Sequence, residues 1–200
     1  MRWMRFGGWL IAVGMLLPQS SALAAPVMVV GTFQENFLGG GGDTFTIMNA
    51  ASSATGILTV RYNLAPSQAS FDPGDAPFSV LSGGAGTGFT GMFNATGTSL
   101  TLNFTDFDPG ETFSFRVDVD DNIGFTFGFD FEDSILQIVF DAAAPNTGMA
   151  AFNATDLRRL GSATATVRAD VNVAVPEPGT AGLLLLGLTG LLGARRRRAT

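Results

Sequence analysis

The chain has 200 residues, contains no Cys, His or Lys, and carries a formal net charge of −6 at pH 7. Those absences exclude disulfides, Ser-His-Asp and Cys-His catalysis, a typical zinc or copper site, and lysine-based Schiff-base or phosphate-binding chemistry. Residues 25–174 hold 16 acidic and 5 basic side chains, a charge of −11, which repels phosphate and excludes nucleic acid as a partner.

The first 24 residues have the pattern of a secretory signal peptide. Arg2 and Arg5 form a positive n-region, residues 6–17 form an apolar stretch, and Ala22-Leu23-Ala24 fits the rule of small residues before a cleavage site. The apolar stretch is short for a membrane span, which argues against the alternative of an uncleaved anchor. We predict export through the Sec pathway and removal of an N-terminal signal peptide helix after Ala24.

The region between residues 25 and 174 predicts one all-β domain. Apolar and polar residues alternate with a period of two, which is typical of half-buried antiparallel strands. The alternating segments are residues 56–64, 99–107, 112–121, 124–140 and 162–175. Many short strands separated by glycine-rich turns favour an antiparallel β-sandwich, jelly-roll-like in its connections. Phenylalanine fills the core, with Phe115 or Phe127 expected to be the most buried, and only residues 152–161 have a helical pattern.

One group of oxygen-bearing side chains is denser than any other in this domain. It consists of Asp118, Asp120, Asp121 and Asn122. Carboxylate and amide oxygens are the ligands that calcium prefers, so the group predicts a Ca²⁺ site, although the spacing is not that of an EF-hand. If the flanking strands pair as a hairpin, the acids of the preceding turn, Asp106, Asp108 and Glu111, converge on the same cation. The alternative is a solvated strand face, and no other cofactor is predicted.

A second pair of acids, Asp130 and Glu132, would lie on one strand face about 7 Å apart. That separation falls within the range of glycosidase carboxylates, but any two alternate acids on a strand meet the same test. Sugar clefts also favour aromatic platforms, and residues 25–174 contain no Trp and a single tyrosine, Tyr62. We therefore predict that the protein is not an enzyme. The alternatives are a carboxylate-dependent glycan-active enzyme and a carbohydrate-binding module with an exposed Phe or Tyr62 platform.

The C-terminal 26 residues have three parts. A Pro-Glu-Pro corner comes first, at Val175, Pro176, Glu177, Pro178 and Gly179. An apolar Leu/Gly run predicts a transmembrane helix at about residues 180–194. Its apolar part, residues 181–194, would span about 21 Å, which is short for a hydrocarbon core of about 30 Å. Four arginines follow as a membrane stop held in the cytoplasm, Arg195, Arg196, Arg197 and Arg198. The domain at residues 25–174 would then lie on the side of the membrane opposite the arginines. An ordinary tail anchor is the alternative.

This arrangement of V-P-E-P-G, short apolar helix and terminal arginines resembles the PEP-CTERM sorting signal. The resemblance implies a Gram-negative bacterium, transient retention in the inner membrane, and removal of the tail by an exosortase. It also implies a final place in the outer envelope or the exopolysaccharide matrix. The predicted domains are thus a signal peptide (1–24), a β-sandwich (25–174) and a sorting signal (175–200). The predicted function is a structural or adhesive role at the cell surface or in that matrix, assisted by Ca²⁺, with exopolysaccharide as a further partner.

Overall fold

The computed structural model describes residues 22–36, 42–67, 69–90, 94–95, 97–121, 131–143, 146–156 and 161–174. Within these ranges the chain forms strands and one short 3-10 helix, Ala65–Ser67. The strands are β1 (Ala22–Gln34), β2 (Asp43–Asn49), β3 (Ile57–Asn63), β4 (Ala69–Phe71), β5 (Ser79–Ser82), β6 (Asn94–Ala95), β7 (Ser99–Phe107), β8 (Thr112–Val117), β9 (Val119–Asp121), β10 (Ile135–Phe140), β11 (Thr147–Ala151), β12 (Asn153–Asp156) and β13 (Ser162–Ala174).

The strands form three antiparallel sheets. A six-stranded sheet has the order β12-β13-β1-β2-β8-β5, a five-stranded sheet has the order β11-β10-β3-β7-β6, and β4 pairs with β9. The prediction of an all-β, antiparallel domain is confirmed. No helix among the described residues is long and apolar enough to cross a membrane. Residues 1–21 of the predicted signal peptide and the helix predicted at about 180–194 lie outside the described residues, whereas Ala22–Ala24 form the start of β1.

Aromatic rings from both larger sheets meet in one core. Phe45 of the six-stranded sheet lies edge-on to Tyr62 of the five-stranded sheet, with ring centroids 5.3 Å apart, and Phe104 meets Phe113 at 5.1 Å. Contacts of this kind between inner faces are those expected of a sandwich. Burying one such ring stabilises the fold by roughly 1.5–3 kcal/mol. Phe115 is fully buried, as predicted, and Phe127 lies outside the described residues.

The sequence patterns misplaced three segments. The strand predicted over residues 112–121 breaks at Asp118, where β8 ends and the chain moves to the separate pair β4–β9. The helix expected over residues 152–161 is wrong at residues 153–156, which form β12. Glu132 lies in a turn before β10 rather than in a strand. Asp118 bonds to the turn at residues 72–76, and β12 pairs with β13, and local periodicity contains neither partner.

The first and last described strands are neighbours. β1 and β13 pair along thirteen residues without a shift in register, from Ala22 opposite Ala174 to Gln34 opposite Ser162. Ala174, the last described residue, therefore lies beside Ala22, the first. Residues 22–174 belong to one compact unit.

Gly31, in the middle of β1, marks a close approach between the two larger sheets. A Cβ atom at this position would lie 2.6 Å from Cδ2 of Leu136 and 3.3 Å from Cζ of Phe152. Both neighbours are fully buried core side chains, so neither has free space to move into. A residue without a side chain is required here because β1 and β10 pack so closely.

Candidate functional site

The end of β8 brings acidic residues from three parts of the chain together. The backbone N–H of Asp118 donates to the carbonyl of Ala76 at 3.2 Å, and the N–H of Asp72 donates to the carbonyl of Asp118 at 3.0 Å. These bonds hold the turn at residues 72–76 against the residue that follows β8. We call the resulting group the acidic corner; it comprises Asp43, Asp72, Asp75, Asp118 and Asp120.

Asp43, the first residue of β2, is the buried member of the acidic corner, with 4% of its surface exposed. Its Oδ1 accepts the backbone N–H of Asn36 at 2.9 Å, and its Oδ2 accepts that of Val119 at 3.0 Å. Burial raises the pKa of Asp43 to about 6, against the opposing effect of these two hydrogen bonds. The Asp43 carboxylate thus connects the start of β2 to the backbone at Asn36 and at Val119.

Like charges surround the partly exposed members of the acidic corner. Burial raises the pKa of Asp118, and the charges of Asp120, Asp75 and Asp72 raise it further. The charges of Asp118 and Asp120 also act on Asp43. Carboxylates this close to one another lower their mutual repulsion by binding a proton or a cation.

Two of the predicted calcium ligands belong to this corner. Asp118 follows β8, and Asp120 lies in β9 opposite Ser70. Asn122 and the side chain of Asp121 lie outside the described residues. Among the side chains that the structure describes, no three acids lie close enough together to hold a metal ion. The calcium site therefore stays a prediction.

The turn acids that were expected to join this group lie elsewhere. β7 and β8 belong to different sheets, so the hairpin that would have brought Asp106, Asp108 and Glu111 to Asp118 is absent. Asp108 and Glu111 come just before β8, and Asp118 just after it, at opposite ends of a strand about 20 Å long. The Asp108 N–H donates to the Glu111 carboxylate at 2.7 Å, which closes the turn locally.

Sequence reasoning missed three members of the acidic corner, namely Asp43, Asp72 and Asp75. The Asp72 carboxylate accepts the N–H of Gly74 at 2.8 Å, which closes the turn that contains Asp72 and Asp75. Nothing in the sequence spacing of these residues indicates that this turn would lie beside Asp118. Only the long-range bonds between the turn and the end of β8 bring them together.

The residues named for sugar chemistry do not form a common site in the described residues. Glu132 is exposed in its turn, and Asp130 lies outside the described residues. Tyr62 is fully buried, and its hydroxyl has no hydrogen-bond partner. A binding platform built on Tyr62 is therefore ruled out. The prediction that the protein is not an enzyme stays a prediction.

A pocket of about 380 Å³ lies on β1 and β13. Its polar side chains are Arg168 and Asp170, from β13, and Ser52. Across the ladder, Arg168 is opposite Met28, and Asp170 is opposite Pro26. A guanidinium beside a carboxylate, a hydroxyl and apolar groups can contact the hydroxyl and carboxylate groups of a sugar.

The residues of the predicted sorting signal lie outside the described residues. They are Val175, Pro176, Glu177, Pro178, Gly179, Arg195, Arg196, Arg197 and Arg198. β13 ends at Ala174, one residue before the first of them.

Comparison with known proteins assigns this C-terminal segment. Residues 174–198 match the family model of the PEP-CTERM protein-sorting motif, which confirms the resemblance found in the sequence. Neither the curated proteins nor the solved structures gave a match to the chain.

Proposed function

Because the chain carries a PEP-CTERM protein-sorting motif at residues 174–198, we propose that its β domain is cargo for the cell surface. The motif implies export and processing by an exosortase. We further propose that a Sec-type leader ends at Ala24 and that the inner membrane holds the tail until the exosortase removes it. The mature domain then acts in the outer envelope or exopolysaccharide matrix as a structural or adhesive protein. The motif match carries this proposal.

The sorting part is tested by replacing Pro176, Glu177 and Pro178 with alanine in a host that makes an exosortase. We expect the triple variant to accumulate as a full-length, membrane-retained protein, measured by fractionation and by the mass of the C-terminal peptide. A matched control replaces Arg195–Arg198 with lysine, which keeps the positive charge and should be processed normally. Normal release of the triple variant would contradict the proposal.

The composition of the domain supports a matrix role. Residues 25–174 carry a charge of −11, and the acidic corner concentrates part of it. A divalent cation bound there would lower the repulsion among these carboxylates. Since no three described acids can hold a metal by themselves, an anionic polysaccharide would supply the remaining oxygens. Calcium would in this way connect the protein to the matrix.

Calcium assistance is tested by thermal unfolding of the secreted protein during a calcium titration. We expect millimolar Ca²⁺ to raise the Tm of the wild type, and anionic polysaccharide to increase the rise. The double variant D118N/D120N should lose the effect, whereas D106N/D108N, at the end of β7 and in the turn before β8, should keep it. An unchanged wild-type Tm up to millimolar Ca²⁺ would remove calcium from the proposal.

The pocket on β1 and β13 favours a second function, glycan binding without catalysis. Arg168 is exposed there beside Asp170 and Ser52. We expect R168A to weaken retention of the secreted protein on an immobilised uronic-acid polysaccharide. R61A is the control, because Arg61 is also exposed but lies on β3, where its Nε donates to Ser99 Oγ at 3.2 Å. Equal retention of R168A and R61A would remove this function.

A further inference from the structure

The ladder between β1 and β13 extends past the predicted cleavage site. Cleavage after Ala24 removes three residues of β1, Ala22 to Ala24. Their partners on β13 are Ala174, Val173 and Asn172, in that order. The last three residues of β13 thus lie opposite residues that belong to the leader, and the sorting motif begins at Ala174.

Backbone directions show which residue of the leader makes the ladder bonds. The N–H of Met28 donates to Ser53 Oγ at 2.9 Å, and its carbonyl accepts the N–H of Ala50 at 3.0 Å. Both groups of Met28 therefore point away from β13. Because successive residues of a strand alternate in direction, the backbone groups of Leu23 point toward β13, and those of Ala24 point away.

The same reasoning applies independently to β13. The carbonyl of Asn172 accepts the N–H of Ala143 at 3.0 Å. The backbone groups of Asn172 therefore point away from β1, and those of Val173 point toward it. Leu23 and Val173 are opposite one another. They form a pair that exchanges both backbone hydrogen bonds, and it is the last such pair before the sorting motif.

Removal of the leader takes away this pair. Val173 loses its partner, while Asn172 stays bonded to Ala143. Val173, the last residue before the sorting motif, is then no longer held in the ladder with β1. With the leader in place, the backbone is held in the ladder up to the residue before the motif. A protease needs its substrate chain free of such pairing.

We propose that the two processing steps have a fixed order, an inference that rests on the proposed function. Hydrolysis of the Ala24–Ala25 peptide bond by a signal-peptidase-type enzyme adds water, leaving a carboxylate on Ala24 and an amine on Ala25. This step releases Val173 and so produces the substrate that the exosortase accepts. The leader, through Leu23, blocks processing of the tail until it is removed.

The test uses the full chain in an exosortase-producing host, with both ends followed by pulse-chase and mass spectrometry. The double variant A22L/A24L replaces the small residues that signal peptidase requires. We expect it to keep its leader and to process its tail at least about tenfold more slowly than the wild type, since two backbone hydrogen bonds must open first.

A further substitution distinguishes the effect of the ladder from the effect of a leader that simply keeps the protein attached to the membrane. In the A22L/A24L background, V173P removes the N–H that bonds Leu23, and we expect tail processing to return. A174P is the matched control, because the Ala174 N–H faces away from β1, and it should not rescue. Each proline variant with an intact cleavage site should be processed at the wild-type rate.

The outcomes separate this inference from the proposed function. A wild-type tail that is never processed contradicts the proposed function itself. A processed wild type together with A22L/A24L processed at the same rate overturns only the order of steps. Failure of V173P to rescue, or equal rescue by A174P, overturns the role of the Leu23–Val173 pair.

Discussion

At the scale of single residues, Asp43 combines an ionisable side chain with a buried position. Its carboxyl is buried, and its pKa rises from 3.8 to about 6. Between those values the native state keeps a proton that the unfolded state has already lost. The free energy of unfolding therefore falls as pH rises through this window. The full loss, about 3 kcal/mol, is present above pH 6.

We predict that D43N flattens this pH dependence. Denaturant unfolding at pH 4 and pH 7 should show the wild type losing stability between the two values, and D43N losing about 2 kcal/mol less over the same interval. D141N, which removes an exposed carboxylate, is the control and should follow the wild type. An equal slope for D43N and the wild type would mean that Asp43 does not titrate in this window.

Tyr62 is a second residue whose chemistry conflicts with its surroundings. Its ring packs against Phe45, Phe115 and Phe152, while its buried hydroxyl lacks a hydrogen-bond partner. Burial of the hydroxyl raises the pKa of Tyr62 above its usual range. An unpaired hydroxyl in a core costs about 1–3 kcal/mol.

We predict that Y62F is as stable as the wild type or more stable, by up to about 2 kcal/mol, because the ring contacts remain and the cost disappears. Thermal unfolding at neutral pH measures the change. F45L is the contrasting variant, since it removes a ring stacked on Phe115 with centroids 4.8 Å apart, and it should lower the Tm. A clear loss of stability in Y62F would indicate that its hydroxyl does have a partner.

At the level of elements, the distance between the sheets depends on small side chains. Gly31 lets β1 approach Leu136 of β10, and Gly148 of β11 lies similarly close to Val167 of β13, where a Cβ would be 2.6 Å from Cγ1. Both positions lie where one larger sheet faces the other. Packing between the sheets therefore restricts these strands more than their own propensities do.

We predict that G31A lowers the free energy of unfolding by about 1–3 kcal/mol, because the new methyl overlaps fixed core atoms. Denaturant titration would detect this as a lower midpoint with an unchanged m value. G86A is the control: a Cβ there would meet nothing closer than 3.5 Å, so its midpoint should not fall. A G31A protein with the wild-type midpoint would mean that the sheets can move apart.

Strands were predictable from the sequence where buried and partly exposed side chains alternate. Phe113, Phe115 and Val117 of β8 are buried, and the residues between them are only partly so, as their letters indicate. The break at Asp118 could not be predicted, because it depends on backbone bonds from Asp72 and to Ala76. The acidic corner was only half predictable for the same reason: Asp118 and Asp120 are close in sequence, whereas Asp43 and Asp72 reach them only in the fold.

For the whole molecule, charge is the dominant property that composition supplies. A charge of −11 over residues 25–174 means that compact packing works against self-repulsion. Salt screens charges that lie farther apart than about 8 Å at physiological ionic strength. Stability of the mature domain should therefore depend on the ionic strength of its surroundings.

We predict that raising NaCl from about 10 mM to about 200 mM increases the Tm of the secreted protein by a few degrees. The variant D118N/D120N has two fewer negative charges and should respond less. Comparison with Ca²⁺ at equal ionic strength distinguishes general screening from specific binding. A Tm that does not change with NaCl would show that repulsion is negligible in the native fold.

The neighbouring positions of β1 and β13 also determine how the domain responds to mechanical load. Tension applied between the start of β1 and the end of β13 acts across the ladder at one of its ends. The pairs then separate one after another, instead of resisting together as strands do when pulled along their length. The pairs nearest Ala22 and Ala174 would open first, ahead of the pairs beside Phe33, whose ring stacks on Phe131 in the core.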